Sequence, residues 1–370
     1  MTDAGPRDIP AASPGSRVLI VAASMGAGHN RAAAELGRRL AGAGACIRTI
    51  DFLGLPGDAA GERLRRTYEV MLRRLPWAYG ASMRAWARAP GAMSAIVARR
   101  TACFDRPLAN ELAAFQPDVV VSTYNLASQS VGRVKAAGGG PGKLVTYVTD
   151  PGAHPYWIHP HAEAHLAVTE RTAEDLARLG ARGCTAVAPL VRPGLGAAAS
   201  RRAAVRHRLG LSPDSRVALV NGGSLAVGSM VRTVDLLRDC RELTVVVLCG
   251  HSTWLREQIS AWPRVLPLGW TDDIAGLLGA ADVLVDNAGG QTCIEAIAAG
   301  LPVVLYRTLP GHGRLNAETL SRAGLATHAL NEQELREAVF DAEPPPDPFA
   351  GARDPAAEVL ALAGSAAVAG

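Results

Sequence analysis

The sequence predicts an α/β protein built from two Rossmann-like domains that face each other across a cleft. Three observations carry that reading. Short, continuous apolar runs, the mark of strands buried on both faces, alternate with helix-like stretches along the chain. A strand followed by a glycine loop occurs at residue 17, and the same layout restarts near residue 216. The length of 370 residues suits two domains of about 150 to 200 residues better than one core.

The elements follow in order. Residues 1–16 lack an apolar stretch and read as a loose tail. The first domain, 17–195, opens on RVLIVAA (17–23), the turn SMGAGHN and a helix over 31–41. Further strands are expected at CIRTID (46–51), DVVVST (118–123), KLVTYVTD (143–150) and AHLAVT (164–169). Pro and Gly in 189–201 mark a linker. The second domain, 196–340, holds RVALVNGGS (216–224), TVVVLCG (244–250), VLPLG (265–269), DVLVDNAGG (282–290) and LPVVLY (301–306). Residues 341–370 form a proline-rich spacer and a helix over 354–362. Alternating strands and helices imply parallel sheets covered on both sides, with ligands beyond the carboxyl ends of the strands.

Composition excludes several classes. Hydrophobic residues at 48% and charged residues at 19% exclude a disordered chain, and the 39 Gly and 24 Pro are not periodic, which excludes collagen. The six cysteines are scattered without a C-x-x-C pair, so neither a disulfide framework nor a zinc knuckle is expected, and a reducing cytoplasm fits. No run of 18 apolar residues exists, so any membrane association is peripheral. The net charge of +4 does not by itself select nucleic acid as a partner.

Four loops and one helical stretch carry the candidate chemistry. SMGAGHN departs from a dinucleotide fingerprint because Arg31 stands where a third Gly is needed. It still puts Gly26 and Gly28 where backbone approaches a ligand. His29 sits at a helix start, where an imidazole stays neutral and can accept a proton; an exposed loop histidine is the alternative. NGGS places Gly222, Gly223 and Ser224 before a helix over 230–240, either an anion-binding turn or a simple tight turn. In DNAGGQTCIEAIAAGLPVV the strand ends at Asp286 and a helix begins near Gln291 or Thr292. That helix can offer amides to a diphosphate, and Glu295 can accept from a ribose diol or stand as an ordinary first-turn Glu.

In TDPGAHPYWIHPHAEAHL, the prolines beside His154 and His159 break helical spacing, and His165 opens a strand, so a metal site is not expected. Asp150, at a strand's carboxyl end, is the better active-site candidate. Residues 61–100 carry nine Arg against two Glu, with Tyr68, Trp77, Tyr79 and Trp86 interleaved. That mixture fits an anionic lipid surface, single-stranded nucleic acid, or a packed helical insert with a solvated arginine face.

With these pieces in order, the stretch 17–329 resembles the monogalactosyldiacylglycerol synthase and processive diacylglycerol glucosyltransferase family. It is also similar to the related lipid-linked N-acetylglucosaminyltransferase of peptidoglycan synthesis. The matching segments are SMGAGHN, TDPGAHPYWIHP, LVRPGL, NGGS, LGWTDDIAGLLGAADVLVDNAGGQTCIEAIAAGLPVV and LPGHGRLNA. The resemblance implies a GT-B fold with acceptor on the first domain and nucleotide-sugar on the second. It implies inverting, metal-independent transfer of a hexose from a UDP-sugar to a lipid hydroxyl, diacylglycerol first among acceptors. The expected setting is the inner, cytoplasmic face of a membrane, with no bound cofactor and no nucleic-acid partner, and the oligomeric state is left open. A soluble aglycone as acceptor, a non-catalytic binding module and an epimerase are the alternatives.

Residue by residue, the resemblance makes His29 the general base. It puts Gly222, Gly223, Ser224, Gly289, Gly290, Gln291 and Thr292 at the diphosphate and Glu295 at the ribose. Trp270, Thr271 and Ile274 fall in the loop that holds uracil. Gly311, His312 and Asn316 belong to the donor loop. Gly26, Gly28, Trp77, Tyr79, Trp86, His154 and Trp157 fall on the acceptor and membrane side. The chain departs from the family at His312 and Gly313, where Gln-Glu is common and touches the sugar, and at His251, where Arg is usual.

Overall fold

The computed structural model describes residues 9, 11–13, 15–88, 90–223, 228–346 and 348–364. Residues 1–8, 10 and 14 of the expected 1–16 tail, and Ser224 of the glycine loop, therefore lie outside the described residues. The chain divides into two compact units: 1–71 with 78–190 and 351–370, and 72–77 with 191–350.

The first unit holds β1 (Arg17–Ala22), α1 (Ala27–Gly42), β2 (Cys46–Asp51), α2 (Asp58–Arg74) and α3 (Pro76–Arg88) except for their residues within 72–77, and α4 (Pro90–Phe115). β3 (Val119–Ser122), α5 (Asn125–Ala136), β4 (Lys143–Val148), β5 (Ala162–Ala167), α6 (Glu170–Arg178) and β6 (Cys184–Ala186) follow. Its sheet is six-stranded in the order β2-β1-β3-β4-β5-β6, and every pairing is parallel. β1, β3 and β4 are buried along nearly their whole length because both faces are covered, whereas β2, at the edge, is largely exposed. On α1, Ala32, Leu36 and Leu40 recur every fourth residue and form the face against the sheet.

The second unit holds α7 (Arg202–Arg208), β7 (Arg216–Asn221), α8 (Met230–Arg238), β8 (Leu243–Leu248), α9 (Thr253–Ile259), β9 (Val265–Leu268) and α10 (Ile274–Ala280). β10 (Val283–Asp286), α11 (Gln291–Ala298), β11 (Val303–Tyr306), α12 (His312–Arg322), β12 (Thr327–Ala329) and α13 (Glu332–Asp341) complete it. Its sheet is again all parallel, in the order β12-β11-β10-β7-β8-β9. The last helix, α14 (Pro355–Gly364), returns to the first unit. Arg39 of α1 bonds Asp354 at 2.8 Å, and Lys143 donates to the Leu362 carbonyl at 2.9 Å.

Two short strands, β6 and β12, were not expected from the sequence. His165 lies inside β5 rather than opening a strand, and β5 starts two residues earlier than the expected 164. The arginine-rich stretch forms the helical insert α2–α4 between β2 and β3.

Candidate active site

In an open parallel sheet, ligands bind where successive strands diverge to opposite sides, beyond the carboxyl ends. In the first unit that point lies between β1 and β3. His29 stands there, in the first turn of α1, whose N-cap Gly26 supplies no side-chain acceptor. Its Nδ1 is 2.7 Å from the carbonyl oxygen of Thr123, just past β3, and 3.2 Å from Oγ1 of Thr149, just past β4. Thr123 returns a bond from its hydroxyl to the His29 carbonyl at 3.1 Å. Three adjacent strands thus fix one imidazole.

A carbonyl oxygen only accepts, so the proton of the neutral ring is on Nδ1 and Nε2 carries the lone pair. Burial pushes the His29 pKa below its ordinary 6.5; the charge of Asp150 and the Thr123 carbonyl act in the opposite direction. A neutral imidazole with Nε2 unprotonated is the form a general base needs.

Asp150 is held beside this ring. Trp157 donates from Nε1 to Oδ2 at 3.3 Å, and Nε2 of His154 lies 3.5 Å from the same oxygen. Around them stand aromatic rings: Tyr124 edge-on to His29 at 5.1 Å, Trp157 at 6.4 Å, and Tyr68 edge-on to Tyr79 at 5.8 Å. Burial raises the phenols of Tyr68 and Tyr79; Asp150 adds to both, after Tyr68 in the case of Tyr79. Sequence reasoning missed Thr123, Thr149, Tyr68 and Tyr124 as parts of this site. The only signal for the threonines was their place just beyond two adjacent apolar runs.

One expectation for the acceptor side needs correction: Trp86 is buried (1% exposed) and packs on Tyr156, so it offers no ring to a membrane, whereas Trp157, fully buried, stands beside His29. Trp77, by contrast, is 69% exposed. The histidines do not converge. His159 and His161 lie 5.7 Å apart, and burial, then His161 and Arg133, push His159 down to about 4. His165 bonds the Arg182 carbonyl at 2.7 Å. Among the described residues no three His, Cys, Asp or Glu side chains group as metal ligands.

In the second unit the strands diverge between β7 and β10. Asn221 and Asp286, the last residues of these strands, bond across that point. Asp286 also accepts from the amides of Ala288 and Gly289 at 2.7 and 2.8 Å, and Asn221 accepts from Gly223 at 3.2 Å. The pair therefore shapes both glycine loops, 222–223 and 289–290, at one place. Gly223 and Gly289 take positive φ values of 70° and 64°. A Cβ at Gly289 would lie 2.8 Å from the Cβ of Asn316, so the loop passes closer to α12 than any side chain permits. Asn316, fully buried, donates to the Ala288 carbonyl at 3.1 Å and holds the loop from its other side.

Gly290 is the N-cap of α11 and no side chain caps that helix, so Gln291 and Thr292 begin a helix end suited to an anion. Glu295, one turn in, is fully buried, and Arg192 grips it with two bonds, Nη2 to Oε2 at 2.9 Å and Nε to Oε1 at 3.1 Å. A ribose diol reaches this carboxylate only by displacing or sharing the guanidinium. Arg192 was not expected here, since its partner lies 103 residues away.

Of the remaining donor-side residues, Trp270 is 46% exposed, Thr271 accepts from the Asp273 amide at 3.2 Å, and Ile274 starts α10, capped by Asp273. Gly311, at φ 83°, is the N-cap of α12, and His312 is its first residue. At Gly313 a Cβ would lie 3.0 Å from Leu309 Cβ and 3.2 Å from the Asn287 carbonyl, so a larger side chain there needs its neighbours to shift.

Residues 29–186 match the model of the monogalactosyldiacylglycerol (MGDG) synthase family, and residues 217–345 match the glycosyltransferase family 28 C-terminal domain. A processive diacylglycerol beta-glucosyltransferase from Bacillus subtilis (strain 168) is 27% identical over 236 residues, covering 60% of each chain. The match thus spans about three fifths of that relative's length. Among solved structures, Acinetobacter baumannii MurG aligns over 95% of this chain and 99% of its own, at 16% identity and a TM-score of 0.54. Anabaena Alr3699/HepE, solved with UDP-glucose, aligns over 88% of both chains at 15% identity and a TM-score of 0.52. Two successive stretches of the chain are thus similar to the monogalactosyldiacylglycerol synthase family and to the family 28 C-terminal domain, and the fold is of the GT-B type.

Proposed function

We propose that the protein is a glycosyltransferase that moves a hexose from a UDP-sugar to a lipid hydroxyl of the diacylglycerol class. The observation that carries this reading is the 2.7 Å approach of His29 Nδ1 to the Thr123 carbonyl at the strand divergence of the first unit; a carbonyl only accepts, so Nδ1 donates and Nε2 is left to take a proton. In this reaction the acceptor oxygen forms a bond to C1 of the sugar as the bond from C1 to the diphosphate oxygen breaks. Nε2 takes the hydroxyl proton, and UDP leaves with the bonding pair. One displacement inverts the anomeric centre and needs no covalent nucleophile.

Negative charge grows on the departing diphosphate. Amides of the two glycine loops and the uncapped start of α11 are the groups proposed to stabilise it, in place of a metal ion. Asp150 supports the imidazolium that forms at His29 through its field, since the hydrogen bond from Nδ1 goes to Thr123 instead.

The donor assignment draws support from the family 28 match, and the acceptor assignment from the MGDG synthase match over the unit that holds His29. A peripheral site on an anionic membrane at the cytoplasmic face is part of the proposal. Val70, Leu75, Trp77 and Ile96, all large exposed apolar side chains, fall in the arginine-rich stretch that forms α2–α4. Among the described residues no helix is long and apolar enough to cross a membrane.

The test is a UDP-release assay in which a panel of UDP-sugars is crossed with diacylglycerol vesicles. Release that depends on both the sugar donor and the lipid supports the reading. Release equal with and without lipid, across all donors, contradicts it.

A further inference from the structure

We propose that His251 is a positioning residue for the nucleobase of the donor. Its imidazole backs the indole of Trp270, and the uncovered part of that indole is a preset platform for a planar heterocycle. The inference rests on the donor reading above and adds to it a residue that the reading does not use.

The two rings lie face to face, with centroids 4.4 Å apart and planes 8° from parallel. The backbone explains why they meet. β8 and β9 run parallel in register, with Leu248 beside Leu268, and the Cys249 amide continues the ladder to the Leu268 carbonyl at 2.8 Å. His251 is three residues beyond Leu248 and Trp270 two beyond Leu268, so both side chains leave the sheet at the end where ligands of open α/β sheets bind. Each loop is then pinned by a helix cap. Ser252 accepts from the Leu255 amide, and Asp273 accepts from the Gly276 amide.

Trp270 remains 46% exposed although a ring covers one face. An exposed indole on its own would sample several rotamers, and ordering it at the moment of binding weakens affinity. A stacked neighbour orders it beforehand. Imidazole, guanidinium and phenyl groups all stack on an indole, so the proposal requires a planar group at 251 and not histidine in particular.

The experiment measures UDP and inorganic pyrophosphate binding to the whole protein by titration calorimetry, for the wild type and His251→Ala, His251→Phe and His251→Arg. Pyrophosphate has no base and serves as the control. The expected result for His251→Ala is a rise of about three- to tenfold in the Kd for UDP, with pyrophosphate within about twofold of wild type. Both planar replacements are expected to stay within about twofold for UDP. An unchanged UDP Kd in His251→Ala overturns the inference alone. So does an equal loss for UDP and pyrophosphate, or failure of both planar replacements to restore affinity. A wild-type protein that binds no UDP overturns the donor reading itself and this inference with it.

Discussion

The Nδ1 of His29 and the carbonyl oxygen of Thr123 lie 2.7 Å apart, and this bond decides which nitrogen of the ring can act. The acceptor is a backbone atom, so no side-chain substitution at Thr123 removes it directly. The carboxylate of Asp150 acts on the same ring through its charge.

That division of labour gives a pH profile. Burial lowers the His29 pKa below 6.5, so the base is neutral at and above that pH and is lost only as pH falls through the lowered value. The acid limb of kcat/KM is expected below pH 6.5. Asp150→Asn removes a charge that holds the pKa up, so its limb moves to still lower pH. Its plateau falls about ten- to hundredfold because the imidazolium loses its counter-charge. The same shift costs stability in acid: the unfolded chain binds the proton first, so folding weakens as pH drops below 6.5. A limb above 6.5, or an Asp150→Asn limb moved upward, contradicts this.

Gly289 and Gly290 separate conformation from mere smallness. Gly289→Ala puts a Cβ 2.8 Å from Asn316 at a φ of 64°, whereas a Cβ at Gly290 meets nothing within 4 Å. Gly289→Ala is expected to cost about 1–3 kcal/mol of stability and to weaken UDP binding by a similar energy, about five- to 150-fold. Gly290→Ala is expected to stay within about 0.5 kcal/mol in stability. Denaturant unfolding and UDP titration of both variants check the contrast.

Arg192 and Glu295 form a buried pair, and breaking one side leaves a charge without its partner. Arg192→Met is expected to lose about 3–5 kcal/mol. The double variant Arg192→Met with Glu295→Met regains much of that loss, because two apolar side chains replace two charges. A double variant no more stable than Arg192→Met shows that the pair is not what burial of Glu295 depends on. Chemical denaturation of the three proteins supplies the numbers.

Trp77 is the most exposed of the tryptophans described, at 69%. Trp77→Ala is expected to lower co-sedimentation with vesicles containing anionic lipid about tenfold, and a further Leu75→Ala to lower it again. The effect is expected to shrink with neutral vesicles, since the surrounding arginines then contribute little. Equal co-sedimentation of wild type and variants places membrane binding elsewhere.

The central strands were legible because burial on both faces leaves an unbroken apolar run, as in RVLIVA and VLVD. The glycine loops were legible for a related reason: NGG and AGG follow strands and supply the positive φ of Gly223 and Gly289, an angle that L side chains disfavour. β6 and β12 were not, since three residues at a sheet edge carry no period. The partner of Glu295 was hidden as well. An ion pair between residues 103 apart leaves no local pattern, and Glu295 alone looks like any first-turn carboxylate. Trp86 misled because an aromatic among arginines suits a surface, while in the fold it is buried against Tyr156, 70 residues away. The C-terminal helix read as an appendage, yet Asp354 ties its start to Arg39 of α1.

The most direct measurement takes His29→Ala through two assays side by side: sugar transfer from a UDP-sugar to diacylglycerol vesicles, and UDP binding by titration calorimetry. Transfer is expected to fall by about 10²–10⁴-fold while the UDP Kd stays within about twofold, because the imidazole serves the acceptor's proton and not the nucleotide. Transfer at the wild-type rate in that variant would remove His29 from the chemistry and leave the account without its base.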